Sequence, residues 1–90
     1  MRIEFDPRKS VRNAHARGLP FECVERLDWD RSIALVDDRR DYGEVRLRVF
    51  GPIDDRLCAV VVTPIAGGVR VISRRKANAR EIKRYGQTQD

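Results

Sequence analysis

The residues best suited to chemistry are basic, and they are concentrated at the end of the chain. Residues 69–90 contain seven basic and two acidic side chains, whereas residues 1–68 contain twelve of each. The formal net charge of +5 is therefore local. A concentrated basic surface suits a polyanion, and nucleic acid is the commonest one. A solvated helix that only keeps the protein soluble is the alternative interpretation.

Arginines also alternate with apolar residues in two predicted strands. Such alternation places the two kinds of side chain on opposite faces of a sheet. If helices cover the apolar face, the arginines share the open face, where they could hold a phosphodiester while an aromatic ring stacks on a base. The residues expected on this open face are Arg46, Arg48, Phe50 and Arg70, completed by Arg74 or Arg75. Pairing of these arginines with nearby carboxylates at a solvent surface is the alternative.

Helix and strand signals predict one α+β domain over residues 1–90. Asp6 can cap a first helix, with Pro7 in its first position and Gly18 as its left-handed stop. The predicted order is strand 2–5, helix 7–17, a second helix from Pro20, strands 32–36, 44–50, 57–62 and 69–74, and a final helix 75–85. We expect an antiparallel sheet, a three-strand meander plus the N-terminal strand, with two N-terminal helices and a C-terminal helix packed on one side.

The final predicted helix would carry Lys76, Arg80 and Arg84 on one face, at spacings of four residues. Its other face would dock through Ala79, Ile82 and Tyr85.

Several classes of function are disfavoured by what the sequence contains. No apolar run approaches the ~18 residues of a membrane span, and the charged N-terminus does not resemble a signal peptide. Cys23 and Cys58 have apolar neighbours, so we expect reduced core thiols in a cytoplasmic protein. Because there is no CxxC or HExxH and Gly67-Gly68 lies in a predicted turn, we expect no metal, zinc, nucleotide or flavin site, and no cofactor.

A set of short motifs gives a more specific indication. In chain order they are Phe5-Asp6-Pro7, Lys9 and Asn13; Gly18 and Pro20-Phe21-Glu22; Asp37-Asp38-Arg39; Tyr42-Gly43-Glu44 with Arg46; Gly51 and the apolar strand to Thr63; and Ile72-Ser73-Arg74-Arg75-Lys76-Ala77 with Glu81 and Tyr85. Together they resemble the BrnT toxins of bacterial type II toxin–antitoxin systems, which have a RelE-like fold. The resemblance covers nearly the whole chain.

The resemblance implies a metal-independent endoribonuclease that cleaves RNA and arrests translation. Its partners would be the RNA substrate and a cognate BrnA-type antitoxin, through which the pair would bind operator DNA. Many family members carry Lys-His-Gly at the end of the first helix, where this chain has Ala16-Arg17-Gly18. The role of that histidine cannot simply be transferred to His15, because His15 lies two positions earlier and points about 200° away on a helix.

Cleavage by the neighbouring 2′-OH requires a proton acceptor, a proton donor for the leaving oxygen, and cations around the phosphorus. We expect Arg46 and Arg75 to form the phosphate clamp, with Glu44, Glu81 or His15 as general base. The further RNA-binding candidates are Arg48, Arg70, Arg74, Lys76, Arg80 and Arg84. The alternative interpretation of Glu81 is a helical partner of Arg84, and that of Tyr85 is a packing residue.

Two other functions remain open from the sequence. The first is a catalytically degenerate RNA- or DNA-binding module, which the Ala16-Arg17 departure favours. The second is an interaction domain whose basic groove receives an acidic or amphipathic segment of another protein.

Overall fold

A five-stranded sheet organises the molecule, and its strand order is β1-β5-β4-β3-β2. The computed structural model describes residues 1–88, so Asp90, one of the two acids counted in the basic C-terminal stretch, lies outside the described residues. The elements are β1 (Arg2–Phe5), α1 (Pro7–Arg17), 3-10 helices Phe21–Arg26 and Trp29–Arg31, β2 (Ile33–Val36), β3 (Leu47–Ile53), β4 (Arg56–Ile65), β5 (Gly68–Lys76) and α2 (Ala79–Thr88). Neither described α-helix has the length and apolar character that crossing a membrane requires.

The sheet is mixed, and the prediction of a wholly antiparallel sheet is wrong. Strands β2 to β5 form consecutive antiparallel pairs, but β1 pairs with β5 in parallel. From β1 at one edge of the sheet the chain crosses to β2 at the other edge. It then returns strand by strand, so that β5 lies beside β1 and runs in the same direction. Strand β3 begins and ends three residues later than predicted. The residues Gly51 to Ile53, predicted as a turn, continue the ladder with β4.

The first helix matches its prediction, and the second does not form an α-helix. The Asp6 carboxylate accepts the Arg8 N–H at 2.9 Å, and Gly18 ends α1 with φ 67°. The predicted second helix is the six-residue 3-10 helix Phe21–Arg26. Its buried residues are Phe21 and Val24, and with the following Leu27 they recur every three positions. Because a 3-10 helix has three residues per turn, this spacing places all three on one face.

The hydrophobic core lies on one face of the sheet, beneath α1 and the first 3-10 helix. Phe21, Val24 and Leu27 pack there against the alternate residues of the central strands. The sheet contributes Val49, Ile53, Cys58, Val60, Val62, Val69 and Val71. Both Cys23 and Cys58 are free thiols. We call this side of the sheet the core face and the opposite side the outer face.

A β-bulge in β5 decides which arginines face the core. Val62 pairs with Val71 but Val61 pairs with Ser73, so the register skips Ile72. The extra residue reverses the alternation that follows it. Arg74 therefore lies on the core face, only 6% exposed, where it donates to the Pro20 carbonyl at 2.8 Å. Of the two arginines predicted as alternatives to complete the open basic face, Arg75 lies on the outer face and Arg74 does not.

Helix α2 lies on the outer-face side of the sheet, where it lines a pocket with strand residues although none of its own residues is buried, so the prediction that all helices lie on one side is also wrong. The helix starts at Ala79 rather than Arg75, because β5 continues through Arg75 and Lys76, which pair with Ala59 and Cys58. Lys76 consequently lies in a strand and does not share a helix face with Arg80 and Arg84.

A few polar contacts attach α2 to the sheet. Glu81 and Asn78 form a reciprocal capping box, in which each side chain accepts the other's backbone N–H at 2.9 Å. Both carboxylate oxygens of Glu81 also accept from Arg75, at 2.7 and 2.8 Å. The Tyr85 hydroxyl donates to the Arg31 carbonyl. The hydrogen bonds from Arg75, and after them the bond from the Asn78 N–H, lower the pKa of Glu81 from its usual 4.5 to about 2.

Replacing Arg74 should destabilise the fold. In Arg74→Ala, the buried aliphatic stem and the hydrogen bond to the Pro20 carbonyl are both lost, so we expect the free energy of unfolding to fall by roughly 2 kcal/mol or more. Urea titration followed by circular dichroism measures the change. Arg56→Ala, at an exposed position of β4, is the control and should alter stability by less than about 0.5 kcal/mol. Equal effects of the two variants would contradict the buried placement of Arg74.

The ion pair between Glu81 and Arg75 should make stability depend on pH in a defined window. Because the folded pKa of Glu81 is depressed, its stabilisation is complete above about pH 4.5 and is lost as the pH falls toward 2. We expect Glu81→Gln to lower the free energy of unfolding by roughly 1 to 2 kcal/mol at pH 7, allowing for solvent screening, and progressively less below pH 4.5. Urea titrations at several pH values measure this difference. Exposed Glu25→Gln is the control, and a Glu81 effect that is independent of pH would contradict the ion pair.

Candidate nucleic-acid interface

Four arginines cross the outer face from one end of the sheet to the other. Arg70 lies beside Thr63, Arg48 beside Val61, and Arg75 beside Ala59. Arg46 precedes β3 at the Thr63 end. We call Arg46, Arg48, Arg70 and Arg75 the arginine track. Since Thr63 and Ala59 are four residues apart on β4, the backbone positions at the two ends of the track are ~13 Å apart along the strand direction.

A single carboxylate, Glu44, holds one end of the track. It accepts from Arg70 Nη2 at 2.7 Å, from Thr63 Oγ1 at 3.0 Å and from Arg46 Nε at 3.3 Å. The hydrogen bond from Thr63, with those from both arginines, lowers the pKa of Glu44. Glu44 is therefore ionised at neutral pH and fixes the two guanidinium groups side by side.

Arg46 is positioned from its other side by an aromatic ring. Its guanidinium carbon lies 4.2 Å from the centroid of the Tyr42 ring, which is a cation–π contact. The Tyr42 hydroxyl donates to the carboxylate of Asp37, which is only 4% exposed. Arg39 donates to both oxygens of Asp37, and these bonds hold the pKa of that carboxyl well below its usual range. The loop before β3 thus fixes the orientation of Arg46.

The second end of the track is the ion pair of Arg75 with Glu81. Its bidentate geometry matches the planar fork of a guanidinium, the same geometry that binds a phosphate. The exposed fraction of the side chain is 42% for Arg75 and 16% for Glu81, so the arginine faces solvent more than its partner does. A phosphate could approach Arg75 without displacing α2.

None of the three predicted general bases is placed as a free base near the arginine track. Glu44 and Glu81 both have lowered pKa values and accept hydrogen bonds from arginines. Glu81 pairs with Arg75, so the alternative pairing of Glu81 with Arg84 along the helix is not observed either. His15 lies on α1, on the opposite side of the sheet from the track. Tyr85 bonds to the Arg31 carbonyl, which agrees with a packing role.

The other predicted RNA-binding residues are spread over several surfaces. Arg80 and Arg84 are exposed on α2, and Arg84 lines a pocket between that helix and the sheet. Lys76 is exposed at the end of β5, and Arg74 is buried on the core face. The structure therefore brings Arg46, Arg48, Arg70 and Arg75 together on one face but does not add Arg74 or Lys76 to it.

Two uncharged residues, Thr63 and Tyr42, also orient the track. The sequence analysis includes them only as parts of larger motifs and does not predict this role. The signal for Tyr42 was its place two residues before Glu44, and the signal for Thr63 was a polar residue at the end of an apolar strand. Among residues 1–88, no group of three or more His, Cys, Asp or Glu side chains could hold a metal ion.

Comparison with known proteins supports one family. Searches among curated proteins and among solved structures gave no significant match. A family model described as the ribonuclease toxin, BrnT, of type II toxin–antitoxin systems matches residues 5–81. That range includes the whole arginine track, both glutamates that bind it and the Tyr42 that orients Arg46. The chain therefore belongs to the BrnT family of ribonuclease toxins of type II toxin–antitoxin systems.

Proposed function

We propose that this protein is a metal-independent endoribonuclease that cleaves RNA on the outer face of its sheet and thereby arrests translation. A cognate BrnA-type antitoxin would neutralise it. The RelE-like fold implied by the resemblance is part of the same proposal, and the four consecutive antiparallel strands β2 to β5 support it. The observation that carries the proposal is the arginine track, because it places four cations along one face of the sheet.

The track suits a single RNA strand rather than one phosphate. The backbone positions at its two ends are ~13 Å apart, so Arg46 and Arg75 would contact different phosphates of one strand. The side chains are accessible, with 26% of Arg46, 37% of Arg70 and 42% of Arg75 exposed. The proposed clamp is therefore divided, with Arg75 at one phosphate and Arg46 with Arg70 at another.

Stabilisation of charge would be the main contribution to catalysis. Attack of a 2′-OH crowds negative charge on the phosphorus, and a fixed guanidinium stabilises that charge without reorganising. Arg75 is fixed in this way by Glu81, and Arg46 by Glu44 and Tyr42. Glu44 and Glu81 would then act as positioning residues rather than as proton acceptors.

A degenerate binding module of the same fold is the second candidate function. It is favoured by the pairing of both candidate carboxylates with arginines, which leaves no free base beside the track among the described residues. A ribonuclease built without a free base would be slow, because general base catalysis typically contributes ~10² to 10⁴-fold. Slow cleavage of RNA can still be sufficient for a toxin.

The antitoxin is proposed to inhibit by covering the same face. An acidic segment would complement the track, and charge complementarity of this kind increases both the rate and the specificity of association. Occupation of the face would also stabilise the toxin by mass action. The antitoxin would bind DNA, so the complex would repress its own operator.

The direct test is cleavage of naked RNA by the purified protein in EDTA. We expect the wild type to cleave, and we expect Arg75→Ala to lose on the order of 10² to 10³ in rate because a fixed cation is removed. Gel analysis of a labelled RNA over time measures both rates. The fold of each variant is checked by circular dichroism.

Glu81→Gln is the matched control for this experiment. Both substitutions break the ion pair that attaches α2, but only Arg75→Ala removes the cation. We therefore expect Glu81→Gln, which leaves the cation in place but without its positioning partner, to lose clearly less rate than Arg75→Ala. Equal losses in the two variants would contradict the clamp role of Arg75. RNA binding without cleavage by the wild type would favour the degenerate module.

A further inference from the structure

A pocket lies between α2 and the outer face, beside the arginine track. Its volume is about 230 Å³, which is below the ~300 to 1,000 Å³ of pockets that hold drug-sized ligands. Its walls include the apolar side chains Ile33 and Leu35 and the rings of Phe50 and Tyr85. Arg48 and Arg84 supply its cationic groups. The size and the walls suit one flat, partly polar ring system.

Arg48 supplies the feature that indicates a ligand. Its Nε is buried and has no hydrogen-bond acceptor among the described residues, a property that it shares with the Nε of Arg74 on the core face. A buried donor without a partner is costly, so such groups are uncommon in folded proteins. Arg48 also lines the pocket, so an acceptor on a bound molecule would satisfy its Nε after a small turn of the side chain. Glu81 also lines the pocket, but its carboxylate is already bound by Arg75 and by the Asn78 N–H.

We propose that this pocket binds one nucleobase of the RNA, with guanine preferred. The inference rests on the proposed function, because the track beside the pocket would bind the backbone of the same strand. Guanine presents two adjacent acceptors, O6 and N7, and arginine is the side chain that most often binds them. The rings of Phe50 and Tyr85 provide surfaces for stacking, as in other proteins that read unpaired bases.

A side chain of a partner protein is a less suitable occupant. An aliphatic or aromatic side chain would fill the apolar part of the pocket but would leave the Arg48 Nε without an acceptor, whereas a carboxylate would satisfy the Nε but leave the apolar walls uncovered. A base satisfies both requirements, since it has apolar faces and a polar edge. Arg48 is thus assigned to base recognition, whereas Arg46, Arg70 and Arg75 are assigned to phosphates.

The test measures binding of short 2′-O-methyl RNA strands, whose blocked hydroxyls prevent cleavage. The strands are uridine throughout, except for one central guanine, adenine, cytosine or 7-deazaguanine. By fluorescence anisotropy we expect the guanine strand to bind the wild type about tenfold more tightly than the all-uridine strand. In 7-deazaguanine a carbon replaces the acceptor N7, so the strand with this base should lose most of the preference. That comparison needs no protein variant.

Arg48→Gln and Arg70→Gln form the matched pair of variants. Arg48→Gln should lose the preference for guanine, whereas Arg70→Gln should weaken binding of all strands alike and reduce the salt slope by about 0.7. Equal binding of every strand by the wild type, or a preference that survives in Arg48→Gln, would overturn the proposal. If ordinary RNA is cleaved while no base preference is found, only the pocket assignment fails. Absence of both binding and cleavage overturns the proposed function as well.

Discussion

One extra residue in β5 decides which basic side chains the protein presents. The bulge at Ile72 lets Ser73 and Arg75 follow Arg70 onto the outer face, while Arg74 turns toward the core. A regular strand would instead have placed Arg70, Ile72 and Arg74 together, because side chains alternate with a period of two. Bulges commonly re-aim side chains next to active sites. Arg75, rather than Arg74, belongs to the arginine track only because of this break in the alternation.

Paired charges hold the track in place. Glu44 binds two of its arginines and Glu81 binds a third, so these three cations have fixed positions before any RNA binds. Fixed cations stabilise a developing negative charge better than mobile ones, because no reorganisation accompanies the reaction. The same pairing lowers the pKa of both carboxylates and makes them poor proton acceptors at neutral pH. The arrangement therefore favours charge stabilisation over general base catalysis.

The sequence predicted the local features well and the long-range ones less well. The cap at Asp6, the stop at Gly18 and the open-face positions of Arg48 and Arg70 depend on local pattern, and the structure agrees with them. The bulge could not be predicted, because Val71 and Ile72 are both ordinary strand residues. The parallel pairing of β1 and the position of α2 on the outer face depend on contacts between residues far apart in the chain. The pattern of a single sequence does not show which distant residues make contact, so it could not predict these two features.

The most direct test of this account follows the arginine Nε–Hε signals by NMR while a 2′-O-methyl RNA strand is added. The account predicts that the signals of Arg70 and Arg75 on the outer face shift, whereas that of Arg74 on the core face stays unchanged. The signals of Arg12 and Arg17 on α1 should also stay unchanged. Shifts confined to α1, or a shift of Arg74 equal to that of Arg75, would contradict the placement of the RNA-binding surface on the outer face.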